Sequence, residues 1–145
     1  MDILNKVKSY REEENKLKWE GTFSDYLAIV KERPEVAQTA HSRVYNMIKS
    51  AGVTEEDGQK RYQFFGNEIF GLETALERLV EEYFHPAAKR LDVRKRILLL
   101  MGPVSGGKST LVTLLKRGFE KYSRTDEGAV YAIKGCPMHE DPLHL

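Results

Sequence analysis

Between Arg96 and Thr110 the chain reads RILLLMGPVSGGKST: an apolar run stops at a glycine, a loop of small residues follows, and Lys-Ser-Thr opens a new periodic segment. No other stretch constrains the fold as tightly. From Gly102 to Ser109 it satisfies G-x-x-x-x-G-K-[ST], the spacing at which successive backbone N–H groups curl around a polyphosphate. Gly106 and Gly107 provide the required backbone conformations and close approach, since a Cβ there would obstruct the anion or the turn. Lys108 is placed to reach the β- and γ-phosphates as a compact charge, and the Ser109 hydroxyl to ligate the Mg²⁺ carried by a nucleotide. A helix starting near Lys108 aims its free N–H groups and positive dipole end at the same anion. The candidate site therefore comprises Gly102, Pro103, Val104, Ser105, Gly106, Gly107, Lys108, Ser109 and Thr110.

The motif has this meaning only between a strand and a helix. Residues 97–101 form a five-residue apolar run and predict a strand, while Leu111, Leu114 and Leu115 recur at helical spacing. The alternative is a glycine-rich turn that joins a buried strand to a helix and binds nothing. The full match to the pattern favours the nucleotide site.

Composition removes several other classes. A chain of 145 residues is one domain, or a small domain plus part of another, and 41% hydrophobic residues support a core. With 31% charged residues and a net charge of +1, no bulk electrostatic preference points to nucleic acid or membrane. The first residues, MDILNKVKSYREEENK, carry charges throughout and lack the apolar segment of a signal peptide, and no stretch approaches a transmembrane span. A cytoplasmic location is expected by default. The single Cys136 excludes an internal disulfide framework and fits a reducing compartment.

Along the chain, Asp2 is a candidate N-cap for a helix with the stripe Ile3, Leu4, Val7 and Tyr10, continuing through the solvated run REEENK to Leu17. Ser24 is expected to cap a second helix with Tyr26, Leu27 and Val30, ended by Pro34. A third, over residues 35–50, aligns Val36, Ala40, Val44, Met47 and Ile48, with Gly52 as its stop. After the polar stretch 54–60, residues 61–65 read as a short strand or extended linker before the break at Gly66 and Asn67. Leu72, Ala75, Leu76, Leu79, Val80, Tyr83 and Phe84 predict a further helix, with Pro86 marking a bend or restart. The basic cluster Lys89, Arg90, Arg94, Lys95 and Arg96 suggests either a nucleic-acid surface or a solvated connection; Asp92 interrupts it and no aromatics are interleaved.

Beyond the loop, the helix from Lys108 should run to about Tyr122, with a polar turn at 123–128 and a second strand at 129–134. In the last segment Cys136, His139 and His144 offer metal-binding groups, but they number only three and two prolines break the segment. A structured loop around Cys136 is the other reading. Glu140 and Asp141 sit in this loop rather than after a buried apolar strand, as a Mg²⁺-organising acid would.

The strings FGLETALERLVEEYFHPAAKRLDVRKRILLLMGPVSGGKSTLV, AQTAHSRVYNMI and AIKGCPMHEDPLHL resemble the N-terminal part of the bacterial PrkA serine protein kinase family, and the resemblance covers essentially the whole chain. It implies an α/β chain in which a helical N-terminal unit, residues 1–66, precedes the start of an AAA-type P-loop ATPase domain, residues 67–145, with a truncated parallel sheet and flanking helices. It also implies ATP with Mg²⁺ as cofactors, a serine/threonine kinase activity with an unspecified protein substrate, a cytoplasmic setting without nucleic-acid or membrane partners, and possible homo-oligomers of the complete protein. In AAA-type ATPases an apolar segment ahead of the helix before the first strand commonly lies against the adenine; Ile69, Phe70, Gly71 and Leu72 occupy that place here. Ile69 and Phe70 are equally readable as core.

The sequence also departs from a complete enzyme. After Ser109 no Walker B strand ending in Asp-Glu, sensor residue or arginine finger is found, nor a kinase glycine-rich loop, H-R-D or D-F-G. Phosphoryl transfer depends on metal-holding acids and on groups that stabilise developing charge. The expectation is a fragment ending inside its ATPase domain, able to bind ATP but not to turn it over unaided. In the AAA arrangement its two strands would lack neighbours, leaving the C-terminal part loose. Two other functions remain: an AAA ATPase doing conformational work on a partner protein, and a non-catalytic nucleotide-gated interaction module.

Overall fold

The computed structural model describes residues 3–16, 18–56, 58–66, 68–89, 97–103 and 106–143. Several residues that carry sequence expectations lie outside these: Asp2, Leu17, Asn67, Arg90, Asp92, Arg94, Lys95, Arg96, Val104, Ser105 and His144. The chain divides into two compact units, one formed by Met1–Val36 with Tyr131–Leu145, the other by Ala37–Val130.

In the first unit, α1 (Ile3–Lys16) carries its apolar stripe of Ile3, Leu4, Val7 and Tyr10 on an exposed face. Helix α2 (Phe23–Glu32) begins two residues earlier than a Ser24 cap would allow. Its cap is Thr22, because Thr22-x-x-Asp25 forms a reciprocal box: the Thr22 N–H donates to the Asp25 carboxylate at 2.8 Å, and the Asp25 N–H to the Thr22 hydroxyl at 3.3 Å. The side-chain and backbone hydrogen bonds from Thr22 hold the Asp25 carboxyl below the usual carboxylate range. Tyr26 is buried on α2, and its ring meets Tyr131 at 5.4 Å; Trp19 meets Tyr131 edge-on at 5.2 Å. The aromatic side chain of the returning segment thus anchors this unit.

That segment does not form the expected strand. Among the described residues 129–134 belong to no sheet; instead the Ile133 N–H donates to the Glu140 carbonyl at 3.0 Å, closing a loop. Cys136 is half-buried inside it, and Asp141 caps its end by accepting from the Leu143 N–H at 2.8 Å and the Tyr26 hydroxyl at 3.4 Å. Among the described residues no group of three or more His, Cys, Asp or Glu side chains is placed to hold a metal.

A 3₁₀ turn (Pro34–Ala37) ends the first unit's N-terminal stretch and enters the second unit at Ala37, and α3 (Ala40–Ser50) follows, so the helix expected from residue 35 starts five residues later. Thr39 decides this, its hydroxyl accepting from the Ser42 N–H at 3.3 Å. Gly52 follows the helix at φ +110°, the conformation its expected role as a stop requires. Strands β1 (Val53–Glu56) and β2 (Gln59–Tyr62) then pair antiparallel, Val53 opposite Tyr62 and Glu55 opposite Lys60. This hairpin occupies the stretch read as polar and the first two residues, Arg61 and Tyr62, of the stretch read as strand or linker; the remaining three, 63–65, form a 3₁₀ turn.

Helix α4 (Glu73–Arg78) runs directly into a wide π-type turn (Leu79–Phe84) and then α5 (His85–Ala88). Pro86 explains the widening: it has no N–H to give and its ring would strike the carbonyl of residue 82 in a regular helix. The His85 N–H reaches back to the Val80 carbonyl, the i→i+5 bond of a π turn. The expected bend at proline is therefore absorbed inside a continuing helix. Helix α6 (Lys108–Tyr122) follows the glycine loop at the expected boundaries.

One core serves this unit, formed by Tyr45, Met47, Ile48, Tyr62, Phe65, Ile69, Leu76, Leu79, Val80, Phe84, Leu111 and Tyr122. Leu98 and Leu100 pack against it, while Ile97, Leu99 and Met101 are 87%, 75% and 83% exposed, so residues 97–101 alternate as an extended segment does. They form no strand, and the only sheet among the described residues is the β1–β2 hairpin. The expected parallel sheet is not seen. A parallel ladder needs partners on either side, and none of the described residues lies alongside as a strand.

Candidate functional site

The glycine loop is set by the helix that follows it. Leu111 is buried in the core, with Leu114, Leu115 and Phe119 packed around it, and these fix α6 so that its N-terminus emerges at the loop. Gly107 is the residue before the helix, in the left-handed conformation at φ +74°, which an L side chain adopts only at a cost. Its carbonyl accepts the first helical bond, from Leu111 at 2.8 Å, and no side chain caps the turn. The first N–H groups of α6 therefore face the loop without a capping side chain.

Gly106 donates its N–H to the Pro103 carbonyl at 3.2 Å, and a Cβ on Gly106 would stand 3.1 Å from that oxygen. A larger residue there would need the Pro103 carbonyl to give by a few tenths of an ångström. Lys108 folds over the same turn: its ammonium donates to the Gly102 carbonyl at 2.8 Å and to the Pro103 carbonyl. Neutral carbonyls are weaker partners for an ammonium than phosphate oxygens, so this arrangement suits an anion-binding lysine. Ser109 and Thr110 are exposed in the first turn. The described part of the loop fits a polyphosphate by these tests; Val104 and Ser105 lie outside the described residues.

The apolar segment assigned to the base comes to the same place at one point. The Leu72 side chain lies 3.7 Å from where a Cβ on Gly107 would stand, so the helix preceding the loop in sequence begins beside the loop. Ile69 is 8% exposed and belongs to the core, as one of its two readings expects, whereas Phe70 is 75% exposed and does not. Gly71 takes φ +73°, the turn that lets α4 start at Glu73. The Glu73 carboxyl accepts from the Gly71 N–H at 3.2 Å, and these backbone donors, its own first, hold it below the usual range.

Ile69 and Phe70 also line a cleft of about 220 Å³, together with Lys60, Arg61, Tyr62, Phe65, Gly66, Glu73 and Leu76. Its walls come from β2, the 3₁₀ turn and α4, and none of the described glycine-loop residues is among its lining. The hairpin side of this cleft escapes a reading by apolar periodicity because its strands are polar. The available signal was Asp-Gly at 57–58 between short alternating runs, the usual two-residue hairpin turn.

The cleft is backed by a polar cluster on the π turn. The Glu81 carboxylate accepts from the Lys60 ammonium at 2.9 Å and from the Tyr62 hydroxyl, and His85 Nδ1 stands 3.9 Å away. Burial pushes the Glu81 carboxyl up, but the Tyr62 and Lys60 hydrogen bonds and the lysine charge outweigh it and leave it below the usual range. Burial and the same carboxylate push the Tyr62 phenol well above its ordinary value, while the hydrogen bond to Glu81 raises Lys60.

Comparison with known proteins bears on this geometry. The PrkA AAA domain family matches residues 21–145. The chain is 77% identical over all 145 residues to the "ATP-dependent protease PrkA" of Bacillus subtilis (strain 168), of which it covers 23%. It is 72% identical over 97 residues, 67% of this chain, to the whole of an "Uncharacterized protein in gldA 5'region" of Geobacillus stearothermophilus. Over 56 residues, 39% of this chain, it is 48% identical to 8% of the "Serine/threonine kinase YeaG" of Escherichia coli (strain K12). The chain thus spans less than a quarter of the Bacillus subtilis relative. No solved structure matches it. Among the described residues no helix is long and apolar enough to cross a membrane.

Proposed function

The chain belongs to the PrkA AAA domain family, and from that premise we propose that it is the ATP-binding N-terminal part of a PrkA-type serine/threonine protein kinase. In the complete protein the γ-phosphate of ATP passes to a protein serine. The observation that carries the reading is the local one at the loop, where the Lys108 ammonium folds over the tight Pro103–Gly106 turn at the start of α6. Gly102, Pro103, Val104, Ser105, Gly106, Gly107, Lys108, Ser109 and Thr110 hold the phosphates, Ser109 contributes to Mg²⁺, and Ile69, Phe70 and Gly71 with Leu72 receive the base. Bound ATP supplies the transferable phosphoryl group; these residues bind and orient it. The setting is cytoplasmic.

A second reading gives ATP the task of driving work on a partner protein. The name of the Bacillus subtilis relative, an ATP-dependent protease, favours it. Both readings share the binding step, which Lys108→Ala tests by titration with Mg-ATP. Loss of one charge-assisted phosphate contact should weaken binding by about tenfold or more. Unchanged affinity would remove the phosphate-loop assignment from both. Phosphate transfer to serine peptides by the complete protein, against ATP hydrolysis stimulated by an unfolded substrate, separates the two.

A further inference from the structure

The segment between β2 and α4 carries the residues assigned to the nucleotide base, and three side chains on one line of the helix tie its two ends together. Thr74 Oγ1 accepts from Gln59 Nε2 at 2.9 Å, Glu77 from the Lys60 N–H at 3.0 Å, and Glu81 from the Lys60 ammonium at 2.9 Å and from the Tyr62 hydroxyl. Glu81 receives both of its donors on one oxygen, with its side chain only 26% exposed, and Tyr62 is 6% exposed. At the surface such contacts would stabilise little. Here the bonds to Glu77 and Glu81 are partly buried, the Gln59–Thr74 bond is exposed, and among the described residues β2 has no other strand than β1 to hold it.

The clamp closes a loop whose own anchors are Phe65 and Ile69 in the core. Phe70 and Leu72 follow, 75% and 40% exposed, on either side of Gly71, so their position depends on where the loop's ends are held. Those ends are β2 and α4. A preorganised wall spares a ligand the cost of ordering it.

We propose that Glu81, with Tyr62 and Lys60, is a positioning clamp for purine binding: by fastening β2 to the helix it holds Ile69–Leu72 beside Gly107, where the base of a nucleoside triphosphate lies when its phosphates occupy the glycine loop. The proposal rests on the ATP-binding reading above. It assigns the three residues no contact with the nucleotide, and it differs from a general stabilising role in one respect. Clamp loss reduces affinity for a ligand with a base and spares one without.

The test compares Mg-ATP with Mg-tripolyphosphate, by calorimetric titration of the full chain, for the wild type and for Tyr62→Phe, Glu81→Gln and Lys108→Ala. Tyr62→Phe keeps the ring in the core, so it remains informative if Glu81→Gln is poorly folded by circular dichroism. The clamp variants should bind ATP about five- to tenfold more weakly, with tripolyphosphate affinity within about twofold of wild type. Lys108→Ala should weaken both ligands. If the clamp variants weaken both equally, or weaken neither while Lys108→Ala weakens both, the clamp is overturned and the phosphate loop stands. If Lys108→Ala alters neither, or the wild type binds neither, the ATP reading fails and the clamp fails with it.

Discussion

Arg43, 5% exposed on α3, donates its Nη1 proton to the carbonyl of Ala129 at 2.8 Å. The same nitrogen lies 3.2 Å from the Gly128 carbonyl. A cation thus serves the backbone beyond α6, through one buried bond at Gly128 and one partly buried bond at Ala129.

Replacing Arg43 by methionine keeps much of the aliphatic volume and removes the donors. Arg43→Met should lower stability by about 2–3 kcal/mol, read as a shift in the urea midpoint. An unchanged midpoint would mean that water satisfies these carbonyls as well as the arginine does.

Gly118 lies inside α6, where alanine normally improves a helix by about 0.5–1 kcal/mol. Here a Cβ would stand 2.5 Å from the Phe64 ring and 3.2 Å from Met47 Sδ. Gly118→Ala should therefore destabilise, by about 1–2 kcal/mol, through displacement of the ring. Combining it with Phe64→Leu should recover part of that loss, a coupling that a double-mutant cycle measures directly.

The φ of +74° at Gly107 makes a separate prediction at the loop. Among the described residues a Cβ there meets only Leu72, at 3.7 Å, so Gly107→Ala is penalised by backbone conformation rather than by crowding. About 1–2 kcal/mol is the expected cost, divided between stability and Mg-ATP affinity. Gly107→Asn, which tolerates this conformation better, should be milder in both thermal unfolding and titration.

The Glu81 cluster sets a pH dependence. Because its carboxyl is held below the usual range in the folded chain, the unfolded chain binds the proton more tightly. The associated stabilisation is present at neutral pH and is lost as pH falls through the folded value. Lys60 and Tyr62 are raised, so their contributions are present below their unfolded values and are lost as pH rises through the folded ones. Urea midpoints of the wild type should fall on both sides, and the acid limb should flatten in Glu81→Gln. Equal acid limbs in the two proteins would assign the loss to other carboxylates, such as Asp25, Glu20 and Glu73, which are also held low.

Much of the helical content was legible because its signals are short-ranged. Tyr26, Val44, Met47, Leu76, Val80 and Leu111 fall at helical spacing, and a helix satisfies its hydrogen bonds within one turn of chain. The boundaries that were misplaced, at Thr22 and Thr39, went to the residue whose hydroxyl could reach a free N–H; both caps are visible in sequence as a threonine three residues before a hydrogen-bonding partner. Of the hairpin only Arg61 and Tyr62 were read as strand or linker, because neither Val-Thr-Glu-Glu nor Gln-Lys-Arg-Tyr has an apolar face to announce it. It is held by charge and by the helix behind it, as in Glu55 opposite Lys60 and Glu81 beneath Lys60 and Tyr62. The strands at 97–101 and 129–134 had the composition of strands, yet composition provides no partner.

What the sequence determined by itself was therefore the loop's pattern and the helix after it: two glycines, a lysine and a hydroxyl at fixed offsets before α6, whose geometry depends on a few adjacent dihedrals. It also determined membership of the PrkA AAA domain family, through strings long enough to be specific. Only the tertiary structure decided that Leu72 lies beside Gly107, that Glu81 fastens the hairpin, and that Arg43 serves the backbone after α6. Each of these joins residues between 19 and 86 positions apart, two of them through polar atoms that hydrophobic periodicity does not register. Contacts across that distance exist only once the core has brought their elements together, because no local rule offsets the entropy of closing the chain between them.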